Sequence, residues 1–141
     1  MNVAIVGATG YGGIQAVNLL KNNKKYKISF LGGNKTSGSR WNEKFPFIYL
    51  DSDPLIETIS VDNISNKADV ALLCLPNGIA STLTRSLLEK GVKVIDLSAD
   101  YRYKSLDDWK KVYSKEAAIY KRNDDDLCKE AVYGLPEINK E

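Results

Sequence analysis

At 141 residues, 43% apolar, 27% charged and with a formal net charge of +2, the sequence is expected to form one domain with a sizeable core. No basic block points to nucleic acid, and no apolar run approaches the ~20 residues that span a bilayer. Two cysteines make no disulfide framework, the absence of histidine removes the commonest general base at neutral pH, and a cytoplasmic setting is expected, because strand residues begin at Val3 with no basic leader before them.

The chain opens on Val3-Ala4-Ile5-Val6 followed by Gly7-Ala8-Thr9-Gly10-Tyr11-Gly12-Gly13. A short all-apolar run reads as a strand buried on both faces, as in a parallel sheet. Ile14, Val17 and Leu20 then fall three apart, the spacing of a helix face. Strand, glycine turn and helix together open a dinucleotide-binding βαβ unit. Gly7 lets the chain turn sharply, Gly10 leaves room for a pyrophosphate against the backbone, and Gly13 seats the helix on the sheet. The helix N-terminus adds unpaired N–H groups and a partial positive charge.

Residues 26–31 alternate and predict a second strand. The loop after it, residues 32–40, carries no acid. Dehydrogenases that prefer NAD place Asp or Glu there for the ribose 2′-OH; here Lys35 and Arg40 with the hydroxyls of Thr36, Ser37 and Ser39 stand instead, which suits a 2′-phosphate and predicts NADP(H). Residues 45–50 read as irregular packing or a short strand, 51–54 as a turn, 55–61 as a third strand and 62–66 as a short helical or turn connection.

Residues 69–75 form the clearest central strand after the first, and Pro76-Asn77-Gly78 breaks it where ligands of open α/β sheets lie. Cys74, inside the apolar run, reads as a small buried hydrophobe. A helix follows, with Ile79, Leu83, Leu87 and Leu88 on one face and Gly91 ending it. Residues 92–97 are the next strand, and Ser98-Ala99-Asp100-Tyr101-Arg102 leaves its end. Ser105 starts a helix over 105–113, with Asp108 as its capping-box partner. Residues 121–126 read as a solvated loop and 131–133 as a last short strand ended by Gly134. The fold class expected is α/β, a Rossmann-like doubly wound, mostly parallel sheet with helices on both faces.

Four stretches carry a resemblance: residues 6–13, Leu75-Pro76-Asn77-Gly78, Val94-Ile95-Asp96-Leu97-Ser98-Ala99-Asp100-Tyr101-Arg102, and Ala131-Val132-Tyr133-Gly134-Leu135-Pro136-Glu137. Together and in this order they resemble the N-acetyl-γ-glutamyl-phosphate reductase family of the semialdehyde dehydrogenase group, over the part that binds the cofactor. The resemblance implies NADPH-dependent reduction of a small-molecule acyl phosphate to an aldehyde, in arginine biosynthesis. The family's nucleophilic cysteine and its histidine lie downstream of the Tyr-Gly-Leu-Pro-Glu stretch, so residues 1–141 are expected to be an NAD(P)-binding domain without catalytic residues, truncated or made separately and inactive alone. No metal ligands are expected.

The resemblance also implies roles by residue. Gly7, Ala8, Thr9, Gly10, Tyr11 and Gly12 would cradle the pyrophosphate, and Asn34, Lys35, Thr36 and Ser37 the 2′-phosphate. Leu75, Pro76 and Asn77 would run from adenosine toward nicotinamide; the family commonly has His where Asn77 stands. Ser98 and Arg102 would face the catalytic half, Arg102 either as a carboxylate or phosphate ligand or as an ion-pair partner, with Asp96 and Asp100 structural. A lysine-pathway acyl-phosphate reductase and a stand-alone non-catalytic NADP-binding or regulatory module are the other readings. Aspartate-semialdehyde dehydrogenase fits the third and fourth stretches less well. An apolar patch near Leu97, Tyr101 and Tyr133 is expected to invite self-association.

Overall fold

A computed structural model describes residues 1–135. Four parallel strands stand in the order β2-β1-β3-β4: β1 Asn2–Val6, β2 Lys27–Gly32, β3 Val70–Leu73 and β4 Lys93–Asp96. Val6 stands opposite both Gly32 and Leu73, and Leu73 opposite Asp96, so all four carboxyl ends finish level. That shared edge is where the site is built.

β1 is central, and its side chains alternate between two cores, as a pleated strand requires. Val3 and Ile5 face a core made with Ala16 and Val17 of α1 (Tyr11–Leu20), Leu31, Trp41, Ile48, Leu50 and Ile56. Ala4 and Val6 face the other, made with Phe30, Ala71 and Leu73, Ile64 of α3 (Val61–Ser65), and Ala80 and Leu87 at and along α4 (Ser81–Glu89). Helices therefore cover both faces, and the doubly wound topology expected from the apolar runs is observed.

The second half of the chain adds α5 (Leu106–Val112), α6 (Ser114–Ile119) and α7 (Asp125–Glu130) around a satellite core of Leu106, Trp109 and Cys128. Ser105 caps α5 by accepting the Asp108 N–H, but the Asp108 carboxylate turns to Lys111, so the capping box is half made.

Three expectations are corrected. Residues 55–61 are not a strand. Glu57 makes one parallel bridge to Gly32 and Leu55 one antiparallel bridge to Arg40, and the segment then leaves the sheet because Ser60 caps α3. Residues 131–133 are irregular, with Val132 84% exposed, so no fifth strand forms there. Residues 121–126 are a solvated loop only in part: Lys121 and Asn123 are exposed, but the side chains of Arg122 and Asp124 are buried, and residues 125 and 126 begin α7. Of the two readings for 45–50, irregular packing is observed. Trp41, at the start of the short helix α2 (Trp41–Lys44), is fully buried, donates Nε1–H to the Ile48 carbonyl at 2.7 Å and lies against Phe45 with ring centroids 4.4 Å apart. Pro136 and Glu137 of the fourth motif lie outside the described residues.

Candidate dinucleotide site at the carboxyl edge of the sheet

The corner after β1 is tied to its neighbour before it turns. The Gly7 and Ala8 N–H groups both donate to the Gly32 carbonyl, each at 2.9 Å. Gly7 has φ +83°, and a Cβ there would overlap the Cys74 carbonyl of the adjacent strand. A Cβ on Gly13 would overlap the Gly7 carbonyl, so α1 starts closer to the corner than any side chain permits. The first intrahelical bond runs from Ile14 N–H to the Gly10 carbonyl at 2.9 Å. The N–H groups of Tyr11, Gly12 and Gly13 precede it and face the crevice with the positive end of the helix dipole.

A Cβ on Gly10 would meet nothing nearer than 3.5 Å, and no acidic residue stands in the first turn of α1. Unpaired amides, an open floor that a Cβ would begin to fill and no competing carboxylate together fit a pyrophosphate. Tyr11 is 95% exposed at the rim.

A 3₁₀ turn, Asn34–Thr36, follows β2, and Gly33 sits between Thr36 and Thr9 of the corner. Thr36 Oγ1 donates to the Gly33 carbonyl. Asn34 Oδ1 accepts the Ile59 N–H at 2.9 Å, which leaves its amide NH₂ for a ligand. Ser37 Oγ lies 2.8 Å from Thr58 Oγ1. Of the two loop cations, Arg40 donates to the Asp53 carbonyl at 2.9 Å, while Lys35 stays exposed. Thr58 was not legible in the sequence, because it reaches this turn through long-range bonds of its neighbours, the Glu57 bridge to β2 and the Ile59 N–H to Asn34.

β3 ends at the corner's back, with the Cys74 N–H donating to the Val6 carbonyl at 2.8 Å. Beyond Leu75 and Pro76, Asn77 Oδ1 accepts the Ala99 N–H at 2.9 Å. This bond ties the β3–α4 turn to the β4–α5 turn and leaves the Asn77 NH₂ open. The Asp100 carboxylate, fully buried, accepts the Gly78 N–H at 2.6 Å and the Ser81 N–H at 3.0 Å. The N-terminus of α4 thus carries an internal anion, whereas that of α1 is open. Asp100 is structural, as expected.

Ser98 is held inside its own turn. Its N–H and Oγ–H donate to the Asp96 carboxylate at 2.8 Å each, and its Oγ accepts the Asp100 N–H at 3.1 Å. Burial pushes the Asp96 carboxyl above the usual carboxylate range, against the Ser98 bonds that favour its charged form. Burial and then the Asp96 charge push the Cys74 thiol up to about 11. Burial likewise raises the Cys128 thiol. Neither sulfur is poised as a nucleophile. Arg102 is exposed at the crevice, with Nη1 3.0 Å from the Tyr113 hydroxyl and its guanidinium 5.8 Å from the Tyr133 ring centroid. Among the described residues no carboxylate pairs with it.

Beside this edge lies an open apolar groove of about 830 Å³, lined by Leu88, Ile95, Leu97, Leu127, Val132 and Leu135 among others. Ile95 and Leu97 are 53% and 55% exposed. Among the described residues no group of three or more His, Cys, Asp or Glu could hold a metal, and no helix is long and apolar enough to cross a membrane.

The model for the NAD-binding domain of semialdehyde dehydrogenases matches residues 2–141. N-acetyl-gamma-glutamyl-phosphate reductases of Prochlorococcus marinus strains MIT 9215 and MIT 9301 are 87% and 88% identical over all 141 residues, and the chain spans 40% of the length of each. The protein of that name from strain MIT 9211 is 51% identical over 98% of the chain and 38% of its own length. Among solved structures, aspartate semialdehyde dehydrogenase with NADP from Candida albicans is similar with a TM-score of 0.61 at 20% identity, over 72% of this chain and 30% of that one. Aspartate semialdehyde dehydrogenase II complexed with ASA from Vibrio cholerae gives 0.56 at 24% identity, over 72% and 29%. These two likenesses bear on the fold alone. With its glycine corner, its level carboxyl edge and a family model matched over residues 2–141, the chain belongs to the semialdehyde dehydrogenase family and corresponds to its NAD-binding domain.

Proposed function

We propose that residues 1–141 form the cofactor-binding domain of an NADPH-dependent N-acetyl-γ-glutamyl-phosphate reductase, an enzyme of arginine biosynthesis in the cytoplasm, and that they do not turn over substrate alone. The observation that carries this reading is the corner at residues 7–13: amides aimed at an open floor, at the end of the central strand of a parallel sheet. The reductases of 87% and 88% identity support the choice of reaction. When bound, the dinucleotide supplies a hydride to a carbonyl carbon. This chain's own part is to hold and orient it. Thr9, Tyr11 and Gly12 hold the pyrophosphate through their backbone N–H groups and the Thr9 hydroxyl, while Gly7, Ala8 and Gly10, whose N–H groups are taken by the Gly32 and Gly7 carbonyls, shape the corner around it; Leu75, Pro76 and Asn77 line the path to the reacting end, with Ser98 beyond.

Preference for the 2′-phosphate is assigned to Lys35, the Asn34 amide, Thr36 and the Ser37–Thr58 hydroxyl pair, a donor set with no acid in it. Arg102, unpaired by any described carboxylate, is assigned to the carboxylate or phosphate of the acyl phosphate. The half-buried Cys74 and buried Cys128 thiols, both raised above the ordinary range, and the lack of histidine in this sequence agree with a domain that binds without reacting.

The test is ligand-linked stability. NADPH at a hundred times its Kd should raise the unfolding free energy by about 2.7 kcal/mol, and NADH at the same concentration by less. Lys35→Glu should reverse that order. Absence of protection by either dinucleotide would overturn the binding claim, and equal protection would overturn the NADP preference.

A further inference from the structure

Behind the turns that carry Asn77 and Ser98 lies a buried cation that neither turn contains. The Arg122 side chain, between α6 and α7, is 3% exposed. Its guanidinium carbon lies 4.5 Å from the Trp109 ring centroid and 5.0 Å from that of Tyr101. Nε and Nη2 form a fork onto the Asp124 carboxylate at 3.0 and 2.9 Å, and Nη1 donates to the Asp100 carbonyl at 2.7 Å. A buried guanidinium is expensive to desolvate, and an apolar pair of similar volume often stabilises a fold as well or better. The connections therefore point to geometry rather than to net stability.

Those connections converge on the crevice. Arg122 fixes the carbonyl of Asp100, whose carboxylate holds the Gly78 and Ser81 amides. The Tyr120 ring, two residues before Arg122, packs so closely on Gly78 that a Cβ there would overlap it. Tyr101, next to Asp100, donates its hydroxyl to Asp124 at 2.6 Å. Both turns at the mouth of the site are thus braced from one point in the α6–α7 link.

We propose that Arg122 is a positioning residue: it holds the Asn77–Gly78 turn and the turn at residues 98–102 in register across the crevice, so that the open Asn77 amide and Arg102 face it together. The proposal rests on the preceding functional reading only for what fills the crevice; the bracing itself stands on the contacts of this chain.

Amide hydrogen exchange separates bracing from general stability. In Arg122→Met the Gly78, Ser81 and Ala99 amides should exchange about tenfold faster while Ile5 and Leu72 in the sheet keep their protection. Arg122→Lys, which keeps the charge but cannot make the fork, should fall between the two. NADPH should bind Arg122→Met about fivefold more weakly than the parent chain. Uniform acceleration of all amides, or unchanged exchange at the three, overturns the proposal. If the Met variant does not fold, Arg122→Lys is read alone: faster exchange at those three amides supports bracing, and parental protection overturns it. A parent chain that ignores NADPH sinks the proposed function and leaves the exchange pattern to decide on Arg122.

Discussion

At Gly7 the backbone angle and the surroundings both refuse a side chain, whereas at Gly10 neither does. Gly7 sits at φ +83° against the Cys74 carbonyl; Gly10, extended at φ −81°, has open space in front of it. Gly7→Ala should therefore cost about 3 kcal/mol in urea unfolding, from strain plus overlap. Gly10→Ala should stay within about 1 kcal/mol of the parent, since it changes only a helix cap. Dinucleotide affinity should behave in the opposite way for Gly10→Ala, falling about tenfold while the fold is intact. A Gly10→Ala chain that binds NADPH as the parent does would remove the pyrophosphate from this corner. Gly7, Gly10 and Gly13 were legible beforehand because a glycine where the chain turns hard has few other uses. Thr58 and Arg122 were not: each matters through a partner 20 or more residues away, Ser37 in one case and Asp100 in the other, and no local pattern encodes that pairing.

The strands and the helices α1 and α4 follow from apolar runs and threefold spacing, because each packs on the sheet along its length. The elements after Tyr101 obey a different rule. α5, α6 and α7 are short, and α6 has no buried residue; they are held by Trp109, Tyr101 and the Arg122–Asp124 pair more than by propensity. Charge alone marks residues 121–126 as solvent-facing, and it is the fork of Arg122 onto Asp124 that carries those two inward. Acid should expose this dependence. Burial opposes the charged Asp124 carboxylate, but the hydrogen bonds from Arg122 and Tyr101 outweigh it and hold its pKa below the usual carboxylate range. A carboxylate with a lowered folded pKa contributes stability that is complete above its unfolded value, about 3.9, and is lost as pH falls through the folded one. Asp96 has the opposite sign. Its raised pKa means that stability falls as pH rises through the interval up to the folded value, so acid relieves β4 instead of weakening it. Trp109, stacked on Arg122 and on Tyr113, should report the release as a fluorescence change below about pH 4, before the sheet unfolds. Asp124→Asn should flatten that step. A single transition in which Trp109 and far-ultraviolet ellipticity move together would contradict separate release of α5–α7.

On the scale of the molecule, both faces of the sheet are covered at β1 and β3 but not at β4, the strand at one edge. Ile95 and Leu97 on that edge and Val132, Tyr133 and Leu135 beside it are 40% to 84% exposed around one groove. Monomeric proteins rarely leave a large contiguous apolar patch bare, and an open strand edge adds unpaired backbone groups to the attraction. Here the edge is short and carries Lys93 at one end and Asp96 at the other, which limits pairing by strand addition and leaves the apolar groove as the principal contact. Two copies of this chain should meet through it, weakly, because the exposed apolar residues are few. Sedimentation equilibrium should show the average mass rising from that of the 15.7 kDa chain with concentration. The dissociation constant should be in the micromolar range, about −8 kcal/mol at the standard state. Leu97→Lys should abolish the rise without changing NADPH affinity, since Leu97 faces the groove and not the residue 7–13 corner. A clean monomer at every concentration would mean that the groove does not hold a second copy. An association that survived Leu97→Lys would move the contact to another face.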